Sequence, residues 1–188
     1  MENESKIIVP PSFVPPRYSH KPFPPYRYVM GLFPHPTEDN GGHSFGKSER
    51  EEINLDIEKW YQNEIYLYGI DLYNNAYWWE AHEALEQLWQ ETLTGDITHH
   101  YFQGLIKISA AFLKWHVKQR RGVERLYNEG HQHLSQVYQQ EKIFMGINLE
   151  KYLKNLEHHF AEVIQKTSLW PNPVEDYPFL ILEKSPPN

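Results

Sequence analysis

Apolar side chains recur every three to four residues through the middle of the chain and nowhere alternate for more than a few positions, so the pattern predicts helices and not a sheet. The stretch from Met1 to Lys47 lacks this recurrence. It holds nine of the fourteen prolines, in runs such as Pro10-Pro11, Pro15-Pro16 and Pro22-Phe23-Pro24-Pro25, which remove backbone donors and fix φ. It also carries Phe13, Tyr18, Phe23, Tyr26, Tyr28, Leu32 and Phe33, so this arm is expected to lie ordered against a helical body. Gly41-Gly42 marks a turn near its end. Ser48-Glu49-Arg50-Glu51 has capping-box spacing ahead of Ile53, Ile57, Trp60, Tyr61, Ile65 and Tyr68, and starts a first helix that Gly69 is placed to interrupt. Asn74-Asn75 offers a stop and a cap for a second helix over 76–92, and Gly95-Asp96 does the same for a third over 97–120. Gly122 and Gly130 bracket a fourth segment built on Val123, Leu126, Tyr127, Leu134, Val137 and Tyr138. Leu149, Tyr152, Leu153, Leu156, Phe160, Val163 and Ile164 form a clean stripe on a fifth, over 149–166. The expected architecture is all-α: an arm over 1–47, an up-and-down bundle of about five helices over 48–168, and an extended tail over 169–188.

The second helix carries the polar residues that suggest chemistry. At about 100° per residue, Tyr73, Tyr77, Trp78, Ala81, Ala84, Leu85, Leu88 and Trp89 share one arc. His82 and Glu86 stand together just past one margin of that arc, and Glu80 stands at the other. Glu83 and Gln87 fall further out. An i, i+4 histidine–glutamate pair on a core border has a structural reading, in which the carboxylate fixes the imidazole tautomer and ties the helix to a neighbour. It also has a chemical one, as a metal or acid/base site: His82-Glu83-Ala84-Leu85-Glu86 shares its spacing with the zinc-protease signature, but with Glu in place of the second His. The Glu-x-x-His spacing of di-iron bundles does not occur. A divalent metal on His82 and Glu86 needs further ligands. His43 and His35 of the arm are the candidates put forward for it, with His20, His99, His100 and His116 as further histidines in supply. On the third helix apolar residues wrap most of the circumference and mark it as central, leaving a stripe of Gln103, Lys107, Lys114 and Lys118. His116 and Ser109 point to its apolar side and need hydrogen-bond partners, and Gly104 would let another helix approach closely. Glu80, Trp89, Gln103, Lys107 and His116 are accordingly the remaining candidates for a ligand or polar cluster.

Composition narrows the classes of function. The chain has 188 residues, enough for one core, and 15% aromatics, rich in Tyr and Trp, so the core should contain polar seams. With no cysteine there are no disulfides, thiolate zinc sites or cysteine nucleophiles, and a reducing, cytoplasmic setting is expected. No signal peptide or membrane span is legible. The net charge of −7 argues against indiscriminate phosphate binding. Residues 100–130 nevertheless carry Lys107, Lys114, Lys118, Arg120, Arg121 and Arg125 against Glu124 and Glu129, a basic face over 107–125 that is either a solvated helix surface or a site for phosphate or nucleic acid. No phosphate loop, serine elbow or dinucleotide fingerprint is present. Exposed aromatics would permit a homodimer.

These residues resemble a family. Gly69 with Leu72-Tyr73-Asn74, then Tyr77-Trp78-Trp79-Glu80-Ala81-His82-Glu83-Ala84-Leu85-Glu86-Gln87-Leu88-Trp89, then Gln103-Gly104-Leu105-Ile106-Lys107 and Ala110-Ala111, is similar to the domain of unknown function 309 family across about residues 60–135. Pro24-Pro25-Tyr26-Arg27-Tyr28-Val29, Pro34-His35-Pro36 and Gly42-His43-Ser44-Phe45-Gly46 resemble the N-terminal extension of its longer members. The resemblance implies an all-helical up-and-down fold and a bacterial or plastid-type intracellular protein, and it implies no established activity. Glu80, His82, Glu83, Glu86, Trp89, Gln103 and Gly104 match the family pattern.

Three readings follow. The first is a non-catalytic scaffold or binding module whose His82 and Glu86 cluster holds the arm against the bundle. The second is a metal-dependent hydrolase with Glu83 or Glu86 as general base and His82 as ligand or acid. The third assigns the basic 107–125 face to a phosphorylated ligand or nucleic acid.

Overall fold

The computed structural model describes residues 7–46, 53, 55–165 and 170–183. The Ser48–Glu51 capping box lies outside them. Among the described residues five helices follow one another, α1 (Glu64–Asn74), α2 (Trp78–Trp89), α3 (Ile97–His116), α4 (Arg120–Tyr138) and α5 (Leu149–Ile164), and each packs on the next. A short 3-10 turn, Ile57–Gln62, precedes them. A two-stranded antiparallel hairpin, β1 (Ile143–Phe144) and β2 (Ile147–Asn148), joins α4 to α5, so the all-α bundle carries one minimal sheet. No helix among the described residues is long and apolar enough to cross a membrane.

Local chemistry explains where the boundaries depart from expectation. Before α1 the chain forms the 3-10 turn, because Asp56 accepts the Glu58 N–H and Asn63 then caps α1 by accepting the Tyr66 N–H at 2.9 Å. Gly69 does not interrupt α1; it lies inside, where a Cβ would stand 3.1 Å from Leu85 of α2. The second helix is shorter than 76–92 because Ala76 turns at φ 60° and Trp89 ends the regular run. The third stops at His116 and not at residue 120, since Lys118 adopts φ 59° without being glycine. Gly122 and Gly130 therefore do not bracket the fourth helix but lie within it. Gly130 meets Gly104 of α3, where a Cβ on Gly104 would come within 2.6 Å of Leu134, so these two helices cross at a distance only glycine allows.

The core is aromatic, and its polar tips are paired. The Tyr66 hydroxyl lies 2.6 Å from that of Tyr101 and donates to Met145 O at 2.7 Å. Tyr152 donates to the Tyr73 hydroxyl at 2.8 Å, and Tyr73 in turn donates to Pro178 O. Burial pushes the pKa of each of these four phenols up, so they remain protonated donors. Ser109, fully buried, donates back to Leu105 O at 2.9 Å. The tail packs onto α1: Asn74 donates to Leu180 O and accepts the Leu180 N–H, at 2.8 and 2.7 Å. The arm buries Ile8, Ser19, Tyr28 and Val29, with Ser19 against Asp71 of α1 and Tyr28 against Glu80 of α2.

Candidate functional site on α2 and beneath the arm

α2 buries Trp78, Ala81, Ala84, Leu85 and Leu88, as its apolar arc requires, together with Glu80. His82, Glu83 and Glu86 emerge half-buried along the opposite margin, and their donor atoms all lie within 4.8 Å of one another. The partner of His82 Nδ1 is Glu83, at 3.1 Å, and not Glu86. The i, i+4 pair expected at the core margin does not hydrogen-bond; Glu83, expected further out, is the residue that reaches the imidazole. His82 and Glu83 remain 30% and 38% exposed, which leaves the cluster within reach of solvent.

The arm is held elsewhere. Asp71 of α1, fully buried, accepts from Arg17 Nε at 2.8 Å and from the Tyr18 and Ser19 amides at 2.9 Å each. Ser19 also donates to Glu64. Glu80 accepts the Tyr28 N–H at 2.9 Å, with His43 Nε2 at 3.4 Å from the same oxygen. His43 thus faces Glu80 rather than the His82 cluster. His35 packs edge-on to Trp79 and Tyr28, with Thr37 Oγ1 and the Glu38 N–H at its Nδ1. The arm histidines and the α2 cluster are not brought into one ligand set. Asp71 was missed by sequence reasoning, although a lone carboxylate inside the apolar run Tyr66–Tyr73 is a signal of a buried partner.

The other candidates are dispersed. Trp89 Nε1–H donates to His99 Nε2 at 3.2 Å, and Thr92 Oγ1 sits 2.9 Å from the other nitrogen of that ring. Gln103 is half-buried on α3. Lys107 pairs with Glu129 at 2.6 Å, and the ammonium holds that carboxyl below its ordinary pKa. Arg120 donates to Val163 O and stacks over Trp170 at 4.8 Å, so the basic face spends two of its cations on internal contacts. His116 lines a separate cleft of about 340 Å³ with Met30, Lys114 and Lys118.

A cleft of about 310 Å³ runs between the arm, α1 and α2, lined among others by Lys21, His43, Tyr68, Trp79, Glu80 and Glu83. Glu83 therefore belongs both to the α2 cluster and to the wall of this cleft. Desolvation, with a smaller contribution from the charge on Glu80, pushes the Tyr68 phenol up to about 12.

Residues 66–126 match the family model described as Domain of unknown function (DUF309). The matched stretch contains Glu80, the three clustered α2 residues, Gln103 and Gly104, and it excludes the arm. No curated protein and no solved structure matches the chain.

Proposed function

We propose that this protein is a non-catalytic binding module that takes a divalent transition-metal ion on α2 through His82, Glu83 and Glu86. The observation that carries the reading is the convergence of one imidazole nitrogen and two carboxylate oxygens within 4.8 Å on a solvent-reached helix edge. A further support is the lack of a structural duty for the cluster: Asp71, Glu64 and Glu80 hold the arm, and Glu86 has no side-chain hydrogen bond or ion pair among the described residues. The spacing suits coordination. Two donors 3.1 Å apart, each about 2.1 Å from an ion, subtend about 95° at the ion, between octahedral and tetrahedral values. One nitrogen and two oxygens suit zinc or manganese, with water completing the shell. Three ligands from a single helix also leave open positions, which is the arrangement a metal-dependent hydrolase reading would use, with the cleft beside Glu83 as its substrate space.

The test is calorimetric titration of the chelator-treated full chain with zinc and with manganese. The reading expects one ion per chain, lost in His82→Ala and weakened at least tenfold in Glu86→Gln. Binding that neither substitution changes, or no binding at millimolar metal, would falsify it.

A further inference from the structure

Glu80 is only 5% exposed, and its carboxylate is half satisfied. Oε1 receives the Tyr28 N–H and the long contact from His43, whereas Oε2 is buried and has no hydrogen-bond partner. Asp71 performs the same task for the neighbouring arm segment with both oxygens engaged and a guanidinium alongside. A buried carboxylate oxygen without a donor bears its full desolvation cost, so Glu80 is missing a cation or an N–H group.

The surroundings describe what is missing. Glu80 forms part of the wall of the 310 Å³ cleft, where Glu83 adds a second carboxylate and Tyr68 and Trp79 add aromatic surface. Aromatic faces and carboxylates together favour organic cations. Lys21, the one Lys or Arg among the described lining residues, already places its ammonium 6.0 Å from the centroid of the Tyr68 ring. A bare divalent ion fits poorly, since Glu80 belongs to no trio of converging His or carboxylate donors among the described residues. We infer that this cleft binds a small organic cation bearing N–H donors, a primary alkylammonium or alkylguanidinium, with Glu80 Oε2 as its anchor. The terminal carboxylate torsion of glutamate is broad, so a modest turn brings Oε2 to an incoming donor while the other oxygen keeps the Tyr28 amide. The cleft borders the metal cluster, and the two have Glu83 in common.

The experiment uses the full chain after chelator treatment, so that bound metal contributes nothing. Agmatine and n-butylammonium are titrated by calorimetry, with n-butanol as the uncharged comparison. Saturable one-to-one binding of an amine and none of the alcohol is expected. Affinity should drop at least tenfold in Glu80→Gln, which retains an acceptor for Tyr28. Equal affinity in Glu80→Gln overturns the inference, as does absence of binding both to wild type and to Lys21→Met, where the resident ammonium is gone. Should Glu80→Gln fail to fold, Glu83→Gln decides: a several-fold loss supports the site and an unchanged affinity overturns it.

Discussion

Asp71 and Glu80 are both buried carboxylates that fasten the arm to a helix, yet they are built differently. Asp71 receives two successive backbone amides and a guanidinium, so its charge is neutralised and both oxygens are engaged. Glu80 receives one amide, a long imidazole contact and nothing at its second oxygen. A closed polar network contributes stability and order; an open one beside a cleft leaves interaction capacity to spare. Burial of a carboxylate does not by itself tell a fastening from a binding site. The saturation of its oxygens does.

Substitutions can break this comparison. The largest effect is expected from Asp71→Ala, which strands the Tyr18 and Ser19 amides and takes the carboxylate from Arg17 Nε. A loss of about 3 kcal/mol follows, or roughly 6–12 °C in Tm, read by thermal circular dichroism. A shift below about 2 °C would mean that the arm does not depend on Asp71.

Next comes a pH effect that sets the conditions for measuring the rest. Burial pushes the His159 imidazole down to about 4. Because the folded-state value lies below the unfolded one, the unfolded chain takes up this proton first. Stability is therefore whole above about pH 6.5, falls between there and pH 4, and levels off below; this one group accounts for about 3 kcal/mol. Denaturant midpoints at pH 7 and pH 4.5, with and without His159→Phe, check it: the variant should show the smaller decline.

A smaller effect is expected from Glu80→Gln, under about 1 kcal/mol, since the orphan oxygen makes no bond to lose. A penalty matching that of Asp71→Ala would erase the distinction between the two carboxylates. Smallest of all is Glu86→Gln, expected to alter stability in metal-free protein by less than about 0.5 kcal/mol, as measured by urea unfolding.

The legible and the hidden parts of the molecule divide along physical lines. α5 was readable because its stripe is uninterrupted and Asn148 caps it, accepting the Lys151 N–H at 3.0 Å. The α3–α4 boundary was not, because Lys118 makes a left-handed turn that composition assigns to glycine, while the glycines nearby serve a close helix crossing. For the site, i, i+4 spacing was enough to bring His82 and Glu86 to one edge, since helix geometry is local. The partners of Glu80 and Asp71 come from 37 to 54 residues away along an aperiodic arm, and no pattern encodes that pairing.

The tail that docks on α1 has a consequence for the order in which the molecule is completed. Tyr73 and Asn74 take their partners from Pro178 and Leu180, 105 and 106 positions downstream. A polypeptide emerging stepwise during synthesis therefore leaves Tyr73 and Asn74 without these tail partners until residue 180 has appeared, although α2 has by then packed on α1. A chain ending at residue 176 should be visibly more susceptible to protease at α1 than one that carries residues 177–183.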